Sequence, residues 1–194
     1  MNLALFYDTE TTGLPLFSEP SEHPGQPHIV QLAACLADLD TKQTIASMDV
    51  IIRPNGWTIP DEVAAVHGIT TEHAASVGIE EKTALDMFMA LHSTCGFRVA
   101  HNEQFDARIV RIALKRFFDA PGSELPESDI WKSGQSECTA RLSRPICALP
   151  KSKVPTMDEA YRHFTGKELE NAHSAMADVQ ACMAVYFAIK GAEA

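Results

Sequence analysis

Leu3-Ala4-Leu5-Phe6-Tyr7-Asp8-Thr9-Glu10-Thr11-Thr12-Gly13 is the stretch that decides the fold. Five apolar residues in a row run straight into an acid, the pattern of a central strand buried on both faces. If the extended conformation continues, Asp8 and Glu10 lie two residues apart on one side of that strand. Gly13 serves the turn that follows. Leu14 to His28, rich in proline and containing Gly25, reads as a loop that borders the end of the strand. Ile29 to Leu39 and Thr44 to Ile52 are rich in β-forming residues, and Asp40-Thr41-Lys42-Gln43 between them reads as a hairpin link. The three strands together predict an antiparallel meander.

The second half of the chain alternates. Glu80 to Thr94 places Ala84, Leu85, Phe88, Met89 and Leu91 at helical spacing. Phe97 to Ala100 is a short strand that delivers His101 and Asn102, and Phe105, Ile109, Ile112 and Leu114 mark a second helix with Asp106 in its first turn. There the helix dipole favours an ionised carboxylate. Residues 119 to 155 hold several prolines and little periodicity beyond a short strand expected near Cys138 to Leu142. A last helix runs from Ala175 to Lys190, with Val179, Cys182, Met183, Tyr186 and Phe187 inward and Gly191 as its stop. Strands first, then alternating helices and strands, predict an α/β fold with a mixed sheet flanked by helices.

At 194 residues the chain reads as a single domain, 1–194, long enough for a sizeable core. No apolar run is long enough to span a membrane, and the N-terminus lacks the basic start and cleavage site of a signal peptide, so a cytoplasmic protein without membrane contact is expected. Cys35, Cys95, Cys138, Cys147 and Cys182 are odd in number and form no CxxC pair, which argues against a disulfide framework or a structural zinc site and for buried thiols. The formal net charge is −10. Residues 1–100 carry 13 acids against 4 bases, and residues 101–194 carry 13 against 12. A polyanionic partner is repelled unless charge is inverted locally.

Three short motifs concentrate chemistry: Asp8 and Glu10 in the first, His101-Asn102-Glu103-Gln104-Phe105-Asp106, and His173-Ser174-Ala175-Met176-Ala177-Asp178. Acids at a strand end or on a helix are costly unless a cation neutralises them. All-oxygen ligands suit magnesium or manganese, and their types do not separate the two. Each acid alone has a bland explanation: a strand end, a turn cap, or a complement to a helix dipole.

In their order and separations these motifs resemble the DEDDh branch of the DnaQ-like 3′ to 5′ exonucleases, which read DxExT, NxxFD and HxAxxD. The resemblance covers most of the chain. It implies a ribonuclease H-like fold with a five-stranded sheet in the order 3-2-1-4-5. It also implies two divalent cations, Mg2+ or Mn2+, held by Asp8, Glu10, Asp106 and Asp178, with Asp8 bridging. His173 is then the general base, since a neutral imidazole accepts a proton near pH 7. On one continuous helix His173 and Asp178 would point about 140° apart, so His173 is expected in the loop before the helix. In proofreading relatives the segment matching His67 lines the terminal-nucleotide pocket and the position of Glu62 makes a substrate contact, although His67 reads equally well as an ordinary loop residue; the Thr11 backbone or hydroxyl is a further candidate contact to the terminal nucleotide.

Arg141, Arg144, Lys151, Lys153 and Arg162 form a locally basic stretch, a solvated face by default and a contact for upstream phosphates as the functional alternative. The expected activity is 3′ to 5′ exonuclease hydrolysis of single-stranded DNA to nucleoside 5′-monophosphates. Its rivals are an exoribonuclease, whose selectivity would rest on the 2′-hydroxyl, and a non-catalytic nucleic-acid-binding or polymerase-associated module. The expected partners are 3′ ends of single-stranded DNA or RNA. The sequence leaves open a polymerase or other protein partner.

Overall fold

A computed structural model describes residues 2–192. The strands β1 (Leu3–Thr11), β2 (Ile29–Asp38), β3 (Gln43–Ile51), β4 (Phe97–Ala100) and β5 (Gln135–Cys138) form one mixed sheet in the order β3-β2-β1-β4-β5. This is the order that the ribonuclease H-like resemblance implied. β1, β2 and β3 pair antiparallel, whereas β4 runs parallel to β1, and β5 to β4. The helices are α1 (Asp61–His67), α2 (Thr71–Val77), α3 (Glu81–His92), α4 (Glu103–Phe117), α5 (Glu127–Ser133), α6 (Thr139–Cys147), α7 (Met157–Thr165) and α8 (Ala175–Ala192).

β1 is apolar throughout its first half because both of its faces are covered. Leu5 and Tyr7 pack with Leu85 and Phe88 of α3, Ile109 and Val110 of α4, and Trp131 of α5. Ala4 and Phe6 face the other way, onto Val179, Cys182 and Tyr186 of α8. Tyr7, Phe88 and Trp131 form a ring triangle with centroids 5.5–5.6 Å apart. Each such side chain withdrawn from water contributes roughly 1.5–3 kcal/mol.

Polar atoms in that layer are paired. Arg98 Nε donates to Glu103 Oε1 at 2.8 Å, its NH1 donates to the Trp131 carbonyl at 2.8 Å, and its guanidinium lies 4.0 Å from the Trp131 ring. Tyr7 Oη donates to the same Glu103 oxygen at 3.4 Å. β4 and the start of α4 are thereby locked to α5.

The sequence reading needs three corrections. The short strand lies at Gln135–Cys138 and not at Cys138 to Leu142, because from Thr139 onward the chain turns helical and buries Thr139, Ala140 and Ser143 at helical spacing. The last helix does not stop before Gly191 but runs through it to Ala192, and Gly191 is not among the glycines of positive φ. Only Cys35 and Cys182 are buried thiols; Cys95, Cys138 and Cys147 are half-buried. Short helices α1, α2, α5 and α7 also stand where the sequence showed no clear period. Among the described residues no helix is long and apolar enough to cross a membrane.

Glu103 and Arg98 are both almost fully buried. Glu103→Ala leaves the guanidinium uncompensated and is expected to cost about 3–5 kcal/mol. In urea denaturation this appears as a lower midpoint at unchanged slope.

Candidate active site

β1 outruns β4. Its antiparallel pairing with β2 continues through Asp8↔Ala33 and Glu10↔Gln31, while its pairing with β4 covers only Leu5 and Phe6. Asp8 and Glu10 therefore sit on rigid extended backbone, on the face shared with Phe6 and turned to α8. On the opposite side, the edge that β4 leaves open is taken by α4. Asp106 Oδ1 accepts the Thr9 backbone N–H at 3.0 Å and the Thr9 hydroxyl at 2.8 Å. Asp106 is only 2% exposed. The sequence reading gave Thr9 no role; its position between two acids was the available signal.

α8 is seated by Gln31, the β2 partner of Glu10. Gln31 Oε1 accepts the N–H of Ala175, the first helical residue, at 3.2 Å. One of the unpaired donors of a helix start is satisfied this way, and Asp178, in the first turn, is brought to Glu10. His173 precedes the helix, exposed, with a left-handed φ of 66°. It lies in the loop, as expected, and its N–H donates to Asp178 Oδ2 at 3.2 Å. Ligating atoms of Glu10, His173 and Asp178 all lie within 4.8 Å of one another, a group able to hold a metal ion.

The electrostatics agree. Burial, then the neighbouring Asp106, Asp178 and Glu10, push the Asp8 carboxyl well above the usual range. Glu10 is pushed up to about 8 by burial, Asp178 and Asp106. Burial raises Asp106 to about 7 against the lowering effect of the Thr9 hydrogen bonds. Asp178 is raised by burial, partly offset by the His173 N–H and the His173 charge. Mutual repulsion of this kind is relieved by cations, and oxygen donors with one imidazole suit magnesium or manganese. The residues present fit the implied group.

The other expected positions divide. His67, in the last turn of α1, is half-buried; burial lowers its pKa, and the nearby His173 lowers it further against the Thr11 backbone. It belongs to the same neighbourhood. The Thr11 hydroxyl donates to the Gly13 carbonyl at 2.8 Å, so it holds the turn. Glu62 is exposed in the first turn of α1. In the basic stretch Arg162 is paired with Glu168 and Lys153 with Glu159, whereas Arg141, Arg144 and Lys151 are exposed. His101, given no role, ties Thr139 Oγ1 at 2.9 Å to the Pro155 carbonyl at 3.0 Å.

The family model described as "Exonuclease" matches residues 5–186. No curated protein matches the chain in sequence. Among solved structures, E. coli exonuclease I in complex with a dA16 oligonucleotide is 21% identical at a TM-score of 0.77, covering 98% of this chain and 41% of that one. The zinc-bound form of an E. coli exonuclease I–single-stranded DNA complex is 23% identical at 0.74, covering 100% and 41%. An exonuclease I from Methylocaldum szegediense is 21% identical at 0.70, covering 98% and 41%. This chain thus spans about 41% of the length of these proteins, and the likeness shows a shared fold. With the family match over nearly its whole length and the three motifs converging at one end of the central strand, the chain belongs to the exonuclease family, in its DnaQ-like DEDDh branch.

Proposed function

We propose that this protein is a metal-dependent 3′ to 5′ exonuclease that releases nucleoside 5′-monophosphates from the 3′ end of single-stranded DNA. The observation that carries the reading is the convergence of Asp8, Glu10, Asp106 and Asp178 on one end of β1, all four pKa values raised by burial and those of Asp8 and Glu10 also by the neighbouring acids. Relatives of the same fold in complex with dT13 and dA16 support a DNA strand as the substrate.

Asp8, Glu10 and Asp178, facing one another across β1 and α8, would hold one divalent cation, and Asp106 with Asp8 a second. When bound, such a pair supplies a water activated near neutral pH and offsets charge on the phosphate. Thr9 aims the Asp106 carboxylate with two hydrogen bonds that favour its ionised form against burial. His173 accepts the proton of the attacking water at a ring nitrogen. Its exposed, left-handed loop position leaves the ring able to move over the cluster. His67, beside Thr11 and His173, borders the place of the terminal nucleotide.

The direct test is digestion of single-stranded DNA and RNA of matched sequence, labelled at each end in turn, with magnesium, manganese or chelator. Metal-dependent shortening from the 3′ end, faster on DNA, is expected. Faster RNA shortening makes the protein an exoribonuclease, and no cleavage by folded protein leaves a binding module. Asp8→Asn is expected to abolish cleavage. His173→Ala lowers kcat by roughly 10²–10⁴-fold at near-unchanged metal affinity; recovery with excess metal would make His173 a ligand instead.

The raised acids also set a pH dependence. Their folded pKa values exceed the unfolded ones, so the metal-free protein keeps their full stability at acidic pH. It loses that stability progressively from about pH 4, where the unfolded carboxyls ionise, up to about 7 for Asp106 and about 8 for Glu10. The melting temperature without metal is therefore expected to fall over this range, and magnesium or manganese to restore it on the alkaline side. A metal-insensitive profile would contradict the ligand assignment.

A further inference from the structure

The β1–β2 loop is apolar toward solvent and polar at its root. Phe17 is 69% exposed and Leu16 40%. The backbone beneath them is fixed by Gln26, only 2% exposed. Its Oε1 accepts the Leu16 N–H at 3.0 Å, and its Nε2 donates to the carbonyls of Leu16 at 3.1 Å and Pro20 at 2.9 Å. α4 grips the loop from behind: Arg108 donates to the Glu19 carbonyl at 2.7 Å and Arg116 to the Gln26 carbonyl at 3.1 Å. The loop ends are joined as well, Thr12 N to the His28 carbonyl and His28 N to Thr12 Oγ1, each at 3.0 Å.

This fixed loop opens at the end of β1 that carries Asp8 and Glu10. It leaves the sheet after Thr11, and its grip point Arg108 follows Asp106 in the first turns of α4. Residues 12–28 carry Glu19 and Glu22 and neither lysine nor arginine. The loop therefore repels a phosphate backbone while holding a large ring in solvent, which selects a neutral, flat partner. We propose that Phe17 is a stacking platform for the unpaired bases of the strand whose 3′ end reaches the carboxylates, with Gln26 and Arg108 as the positioning residues that hold it rigid. The proposal rests on the exonuclease reading for the identity of the strand. Stacking of bases on aromatic side chains is tolerant of sequence, because every base has a π-face.

The test is fluorescence anisotropy with calcium present, comparing a labelled oligothymidylate of about eight nucleotides, within the span of single-strand sites, with an abasic strand of equal length. Wild-type protein is expected to prefer the base-bearing strand by roughly 10-fold or more. Phe17→Ala, with unchanged melting temperature, is expected to erase that preference. Gln26→Ala, which keeps the ring but frees the loop, is expected to reduce it. Equal binding of the two strands by wild type, binding of neither, or an undiminished preference in Phe17→Ala overturns the platform. Hydrolysis of the p-nitrophenyl ester of thymidine 5′-monophosphate, which has no upstream base, reads the activity separately. If Phe17 confers the preference but nothing is cleaved, the exonuclease reading falls and the platform stands. If cleavage proceeds and Phe17→Ala changes no preference, the reverse holds.

Discussion

Asp106 takes both hydrogen bonds that Thr9 can give, and this joint fastens α4 to the stretch of β1 that β4 leaves unpaired on its side. A parallel sheet edge that ends early leaves backbone donors exposed, and a buried carboxylate needs donors. Each deficit answers the other. On the far face Gln31 does the same work for α8, receiving the Ala175 N–H and so setting Asp178 against Glu10. Two polar joints, one on each side of the same strand end, hold three secondary-structure elements at a distance that their four like charges oppose.

Rigidity behind the cluster is what makes that opposition tolerable. The Tyr7–Phe88–Trp131 triangle and the Arg98–Glu103 pair lie directly behind the first and second motifs. α8 is anchored through Val179, Cys182 and Tyr186. Packed cores resist displacement because interior density leaves no slack. The repulsion is therefore stored as raised acid pKa values and not relaxed by motion, a state that divalent cations relieve.

Charge is spent locally. Of the basic stretch read along the sequence, Arg162 and Lys153 are bound to Glu168 and Glu159, and exposed pairs of this kind contribute little to stability. Arg108 and Arg116, which the sequence did not single out, hold the loop at the mouth of the site. These cations serve the scaffold.

The sequence by itself determined the central strand, the meander, the helices carrying Asp106 and Asp178, and the three motifs, because apolar periodicity and fixed acid spacing are local properties of the chain. Helix geometry, applied to the convergence with Asp178 that the family resemblance implied, placed His173 in the loop before α8. The sequence misplaced the strand near Cys138 and the end of α8, because a four-residue edge strand and a glycine inside a packed helix are decided by neighbours and not by propensity. Only the tertiary structure decided that Thr9 and Gln31 are the joints of the site, and that the Thr11 hydroxyl closes a turn. The same holds for Phe17, which stands in solvent on a loop pinned by arginines some 90 residues away in the chain. Those facts depend on which donor meets which acceptor across the fold, a relation that no residue carries in its own neighbourhood.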